Sequence, residues 1–394
     1  MSTRTTISNP TESTAQAYPA IGPQHAFIYD RAPLLVYWES TRACELACVH
    51  CRAAATTWRH PLELDAGEAR ALMQQIAAFG SGLPDRTPGA KRGLARLPHL
   101  IITGGDPLQR SDLFELIDYG CSLGLTISVT PAGTARLTRQ VIERFQQAGV
   151  NALGLSLDGS NPARHDAFRG EAGSFVWTVT GIRLAREQGL PVQVNTMVTA
   201  QTLDDIPAVY EVIRDLGVAR WALFFLIATG RGAALEGISP EESERFLQWL
   251  WRLSADAPFP IKTTEAHHYR RIAFMKMHKN GLSPTDIARS PAGRGFGIRD
   301  GNGVVFISHT GAVYPSGFLP LAAGNVRRRS LVDLYRNSRA FRALRDSGRL
   351  QGKCGRCEFR ALCGGSRARA YATHGDPMAA DPLCPYEPRG YGVR

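Results

Sequence analysis

Thr41-Arg-Ala-Cys-Glu-Leu-Ala-Cys-Val-His-Cys51 places three thiols, Cys44, Cys48 and Cys51, in one short loop. The run before it, Pro33-Leu-Leu-Val-Tyr-Trp38, is apolar and reads as a buried strand. Thiolates delivered together at a strand end can converge on one soft metal centre, whether zinc, copper(I) or an iron–sulfur cluster. A disulfide with one spare thiol is the competing reading of the same spacing.

The ligand count is informative. A closed zinc site or a fully ligated cubane takes four protein ligands, and the next thiol, Cys121, falls inside an expected helix as a small core residue. A [4Fe–4S] cluster held by three cysteines leaves one iron open to a small molecule. Cys-x3-Cys-x2-Cys after a first strand resembles the radical S-adenosylmethionine (SAM) signature. The resemblance implies that the amino and carboxylate groups of SAM chelate the open iron. The residue before the last cysteine, usually aromatic in that signature, is here His50.

Composition sets outer bounds. A chain of 394 residues, 44% of them hydrophobic, can bury one large or two smaller cores. It contains no apolar run of about 18 residues, so no membrane-spanning helix is expected. Residues 1–28 are rich in Ser, Thr and Pro without an apolar segment, which predicts a disordered start and no secretory signal. Seven of the eight cysteines stand in metal-ligand spacings, which fits a reducing, cytoplasmic setting better than a disulfide framework. The net charge of +11 would suit nucleic acid, but no basic helix interleaved with aromatics appears. A basic cavity for an acidic substrate is the preferred reading.

From about residue 34 to 230 short apolar runs alternate with amphipathic helical patterns, which argues repeated βα units and a parallel sheet. Strands are expected at 34–38, 99–103, 126–129, 152–157, 192–198 and 221–227, with helices near 65–79, 112–123, 138–148, 175–188 and 204–216. The fold class is therefore α/β, a partial (βα)6 TIM-like barrel, and chemistry belongs at the strand exits.

The second exit carries Thr103-Gly-Gly-Asp-Pro107, where Gly104 and Gly105 permit close backbone approach. This resembles the family's Gly-Gly-Glu-Pro element, which receives the SAM amino group, with Asp106 in place of the usual Glu. Ser156 and Asp158 share one face of strand four, as Gln193 and Asn195 do in strand five. By resemblance Ser156, Asp158 and Asn195 are expected SAM contacts, although a strand-end serine and an Asp-Gly turn explain the first two equally well. The sixth exit, with Leu226, is the expected adenine platform, and Arg231 beyond it is expected to meet the SAM carboxylate or the substrate. His165, Asp166 and Arg169 read as helix entry or a lid, and 81–98, rich in Gly, Pro and Arg, reads as a surface insertion.

Residues 236–300 read as a helical bridge after the 29–235 core, with Ser239-Pro240-Glu-Glu as a helix start. Lys262, Arg270 and Arg299 are candidate partners for substrate carboxylates. Helical spacing keeps His267 and His268 from facing one site together. Residues 301–394 follow with a hairpin, a helix, and Cys354-x2-Cys357-x5-Cys363-x20-Cys384. Four thiols satisfy either zinc or a complete [4Fe–4S] cluster, and spacing does not separate them.

After a radical SAM core, this order resembles the SPASM/Twitch extension, a small α+β iron–sulfur domain. Ser316 stands where the hairpin's cysteine would be, so the resemblance implies one auxiliary [4Fe–4S] cluster. Tyr314-Pro-Ser-Gly-Phe-Leu-Pro320, Gly324-Asn-Val326 and Cys363-Gly-Gly-Ser-Arg-Ala-Arg-Ala370 narrow the likeness to enzymes of alternative haem and haem d-type biosynthesis, which remove carboxylate-bearing side chains from iron tetrapyrroles.

The resemblance then implies a ferredoxin- or flavodoxin-type electron donor, SAM cleavage to methionine and a 5′-deoxyadenosyl radical, and hydrogen abstraction from the substrate. A peptide maturase is the alternative within the same chemistry. A colourless zinc-and-cysteine interaction module is the alternative outside it.

Overall fold

The computed structural model describes residues 29–80 and 97–389. The expected disordered start and most of the expected insertion at 81–98 lie outside the described residues. A ten-stranded sheet organises the rest.

Six strands run parallel with helices between them: β1 (Leu35–Glu39), β2 (His99–Thr103), β3 (Thr126–Val129), β4 (Ala152–Ser156), β5 (Val192–Val198) and β6 (Arg220–Phe225). The helices are α1 (Ala66–Ala77), α2 (Leu113–Ser122), α3 (Arg139–Gln147), α4 (Pro162–Arg169), α5 (Ser174–Glu187) and α6 (Ile206–Asp215). Strand alternation decides what faces where. Val36, Trp38, Leu100, Ile102 and Val194 are fully buried against the helix layer, so Tyr37, Glu39, His99, Gln193 and Asn195 turn to the lumen. The helices start where their caps dictate: Asp65 and Glu68 form a reciprocal capping box on α1, and Asn161 with Pro162 opens α4.

Two features depart from expectation. The 236–300 segment supplies α7 (Pro240–Asp256), α8 (Tyr269–Lys279) and α9 (Pro284–Arg289), but also β7 (Ile261–Thr264), which pairs parallel with β6 and continues the sheet. The polar run Lys262-Thr-Thr264 hid that strand. The tail hairpin, β8 (Val304–Ile307) and β9 (Ala312–Tyr314), joins the same sheet, with β8 parallel to β1 and β10 (Gly324–Asn325) beyond β9. The open barrel thus has β7 and β8 as the strands flanking its seam. Helices α10 (Leu331–Asn337), α11 (Arg339–Arg345), α12 (Gly352–Arg356) and α13 (Arg367–His374) complete the tail.

α13 ties the two flanks together. The backbone N–H groups of Arg367 and Ala368 donate to Asp300 before β8. Arg369 donates to the carbonyls of Glu265 after β7 and Leu226 after β6. Glu265 adopts a left-handed backbone (φ 60°), uncommon for a non-glycine residue, and accepts from the Ser366 hydroxyl at 2.5 Å. Among the described residues no helix is long and apolar enough to cross a membrane.

Candidate active site

The cysteine loop lies beyond the β1 exit and is stitched to three other exits by backbone hydrogen bonds. At the β2 exit, Gly105 N–H donates to the Thr41 carbonyl (2.8 Å) and Asp106 N–H to that of Ala43 (2.7 Å). A Cβ on Gly104 would stand 2.4 Å from the Thr41 oxygen, and one on Gly105 2.3 Å from that of Ala43. The glycines' close approach is therefore to the cysteine loop itself, not only to a ligand. From α4, the Phe168 carbonyl accepts from Val49 N–H at 3.1 Å. From the β6 exit, Arg231 N–H reaches the Cys51 carbonyl at 3.0 Å.

Arg231 serves the loop as well. Its Nε donates to the Cys48 carbonyl (2.8 Å) and its Nη1 to that of Ala55 (3.1 Å), leaving only the buried Nη2 without a partner among the described residues. The arginine expected to meet ligand is mainly an anchor for the thiol-bearing loop. Arg299 departs further from expectation. It is buried and donates to the carbonyls of Leu344, Gly297 and Arg345, so its guanidinium is committed to the tail backbone and is not available to substrate.

Cys44 and Cys48 are buried and Cys51 is half-buried. Leu46 N–H points at the Cys44 sulfur and Ala55 N–H at the Cys51 sulfur, each at 3.4 Å. Burial pushes the free Cys44 thiol up to about 12 and also raises Cys48. Backbone donors aimed at sulfur, in a place where a bare thiolate is disfavoured, fit sulfurs whose charge is met by a bound metal cluster.

Asp106 stands beside them and is fully buried. Its Oδ1 accepts from Leu108 N–H (3.1 Å) and Ala132 N–H (3.2 Å), while its Oδ2 has no partner among the described residues. Burial raises its carboxyl to about 6 despite those two donors. An orphaned buried acceptor next to the thiols calls for a donor from a ligand.

Asp158 is differently placed from expectation. Its Oδ1 accepts from Met197 N–H (2.7 Å) and its Oδ2 from Arg169 (3.2 Å), so it fastens β4 to β5 and to α4. His165 accepts at Nδ1 from Asp158 N–H (3.1 Å) and contacts the Ser174 hydroxyl through Nε2 (3.1 Å). His50 stacks on Phe168 with ring centroids 4.6 Å apart, and Arg169 lies 3.2 Å from its Nε2. Burial lowers His50 to about 4, so its ring is neutral. Asn195 is paired in register with Ser156 on β4, and its Oδ1 accepts from Gln193 at 2.8 Å.

Sequence reading gave Arg169 only as helix entry or a lid, and it missed the trio of Glu39, Arg52 and His309, of which Glu39 and His309 are buried and Arg52 half-buried. Glu39 accepts from Arg52 at 2.5 Å and from His309 at 2.7 Å, and Arg52 stacks on Phe306 with its carbon 4.5 Å from the ring centre. The trio joins β1, the cysteine loop and the tail hairpin. The one available signal was an acidic residue at the lumen-facing end of an apolar strand.

In the tail, Cys354, Cys357, Cys363 and Cys384 line one cavity, together with Arg271 and Lys353. Burial pushes Cys357, Cys363 and Cys384 up to about 12. Asp381 N–H donates to the Cys354 sulfur (3.3 Å) and Gly365 N–H to that of Cys363 (3.4 Å). Four sulfurs around one void, Cys363 buried and the other three half-buried, two of them with backbone donors, fit a fully ligated cluster. Among the described residues no group of three or more His, Cys, Asp or Glu side chains closes tightly enough for a single metal ion.

The Radical SAM superfamily model matches residues 89–213. The chain is 38% identical over 357 residues to the AdoMet-dependent heme synthase of Methanosarcina barkeri, an alignment covering 91% of this chain and 97% of that protein. The chain belongs to the radical SAM superfamily. It is a SAM-dependent enzyme of a family that uses a [4Fe–4S] cluster and SAM and needs an electron donor. This radical SAM chain is also similar to the Fe-coproporphyrin III synthase of the same organism, 28% identical over 379 residues, 92% of this chain and 90% of that one. Its fold resembles Streptococcus suis SuiB bound to the precursor peptide SuiA, with a TM-score of 0.68 at 15% identity over 90% of this chain and 76% of that one.

Proposed function

We propose that the chain is a radical SAM enzyme of haem-type biosynthesis that acts on a carboxylate side chain of an iron tetrapyrrole. The likeness over nearly the whole length of both chains to a protein named for haem synthesis carries this reading. When bound to Cys44, Cys48 and Cys51, a [4Fe–4S] cluster supplies reductive cleavage of SAM and a radical able to take hydrogen from carbon. The chain's own residues hold and orient. Asp106 Oδ2 accepts from the SAM amino group, Gly104 and Gly105 set that carboxylate against the cysteine loop, and Arg231 keeps the loop's carbonyls in place. His50, Ser156, Asn195 and Leu226 line the space for the rest of SAM.

Lys262 and Arg270 face substrate carboxylates. Lys262 projects from β7 into the lumen, and Arg270 has a buried Nη1 without a partner among the described residues. Cys354, Cys357, Cys363 and Cys384 would hold an auxiliary cluster, which would supply an acceptor for the electron left by loss of CO2 from a propionate. A ferredoxin- or flavodoxin-type donor and a cytoplasmic setting fit the reduced cysteines. The test is anaerobic incubation of reconstituted protein with SAM, dithionite and iron-coproporphyrin, followed by mass spectrometry of the macrocycle. Loss of carboxylate carbon is expected. An unaltered macrocycle alongside modification of a peptide would replace the tetrapyrrole reading with the maturase one.

A further inference from the structure

We propose that Arg220 and Lys262, with the Tyr37 hydroxyl, form an anchor across the lumen for a substrate carboxylate other than the one that reacts, and so fix which side chain is presented to the cluster end. The inference rests on the tetrapyrrole reading above and adds the part of the barrel that would choose among several carboxylates on one molecule.

Register places these residues. Asn195, Ala222 and Lys262 are successive partners across β5, β6 and β7, and Gln193 pairs with Arg220 in the neighbouring row. Trp221 and Leu223, which alternate with them, are fully buried on the helix side, so Arg220 and Lys262 lie on the lumen face. Tyr37 lies on the lumen face of β1 between the fully buried Val36 and Trp38. Four strands separate β1 from β6 in the sheet, yet the Arg220 guanidinium acts on the Tyr37 hydroxyl and on the Lys262 ammonium. Its influence on Lys262 runs along the sheet from the neighbouring strand, and its influence on Tyr37 runs across the lumen.

The charge is uncompensated. Several arginines around the barrel meet carboxylates: Arg169 meets Asp158, Arg52 meets Glu39 and Arg369 meets Asp381. Arg220 and Lys262 have no hydrogen bond or ion pair to any described residue. Surrounding protein and the neighbouring Arg220 and Arg270 lower Lys262 to about 8, although its side chain remains open to the lumen. Both side chains are exposed, and two like charges on one lumen face are relieved by a bound anion.

Position then sets the anchor at and below the ligand-lining row, because Lys262 shares the row of Asn195 and Arg220 lies two residues deeper. Arg220 opens β6, and the strand ends five residues on at Phe225, roughly 16 Å at strand rise. The thiols and Asp106 lie beyond the strand exits. A ligand touching both ends must carry carboxylates well apart, as a macrocycle with acidic side chains around its rim does.

The probe is metal-free coproporphyrin III, titrated by fluorescence into anaerobically reconstituted full-length protein alongside its tetramethyl ester. Arg220→Gln and Lys262→Met should each raise Kd about tenfold, as loss of one charge-assisted hydrogen bond does. Lys262→Arg should restore binding to within about threefold, and neither neutral variant should alter the weak binding of the ester. Neutral variants that bind the free acid within about twofold of the parent overturn the anchor while leaving the tetrapyrrole reading standing. Failure of the parent protein to bind porphyrin overturns both. If either neutral variant does not fold, the parent protein alone decides, because equal affinity for acid and ester contradicts a carboxylate anchor.

Discussion

Replacing Asp106 by Asn is the sharpest perturbation of the SAM site. Oδ1 already accepts two backbone N–H groups, from Leu108 and Ala132, and an asparagine oxygen can keep both, so the turn after β2 stays formed. Oδ2, buried and without a partner among the described residues, becomes an NH2 that faces the SAM amino group donor to donor. A hydrogen bond to a charged group contributes about 1.5–3 kcal/mol, so Kd for SAM should rise roughly ten- to hundredfold.

The pH dependence follows from the same carboxyl. Burial holds its free-protein pKa at about 6, and only the ionised form accepts at both oxygens. SAM affinity of the parent should therefore fall about tenfold between pH 7 and pH 5, and Asp106→Asn should abolish that slope. Equilibrium binding to anaerobically reconstituted protein across this range is the assay. A variant Kd within twofold of the parent at pH 7, or an unchanged pH slope, refutes the assignment of Oδ2 to the amino group.

Other outcomes follow from the same geometry. Arg231→Gln removes donors to the Cys48 and Ala55 carbonyls and should lower iron and sulfide retained at the front site, as read by iron and sulfide analysis in a Cys354→Ala background that lacks the tail cluster. Cys354→Ala and Cys363→Ala should leave SAM cleavage intact but stop conversion of the macrocycle, and normal conversion would remove the electron-acceptor role. Burial raises Glu39, but Arg52 and His309 more than offset it and hold the carboxyl at about 2 against an ordinary 4.5. A depressed carboxylate stabilises the fold above its unfolded pKa and loses that contribution as pH falls from about 4.5 towards 2, a difference of about 3 kcal/mol. Denaturant unfolding of Glu39→Gln at pH 7 should show a loss of that order, narrowing on acidification.

The strands of the barrel were legible because apolar residues alternate at period two where one face meets helices, as in Val36 and Trp38 or Leu100 and Ile102. The thiols were legible because metal ligation constrains local spacing. β7 was not, since its lumen face carries Lys262 and Thr264 and the strand is only four residues long. Nor were the contacts that close the site, which join residues far apart in the chain. Glu39 and His309 are separated by 270 positions and Arg231 and Cys48 by 183, and no local pattern marks such partners. Arg299 shows the converse: an arginine in a plausible neighbourhood spends its donors on backbone carbonyls, which only packing reveals.

The most direct measurement is 5′-deoxyadenosine released from SAM under dithionite by oxygen-protected, reconstituted protein, compared with Cys48→Ala carrying an intact tail site. Release by the parent and none by the variant is the predicted result. Equal release by both, or none by a parent that retains a four-iron cluster at the front loop, would contradict the account.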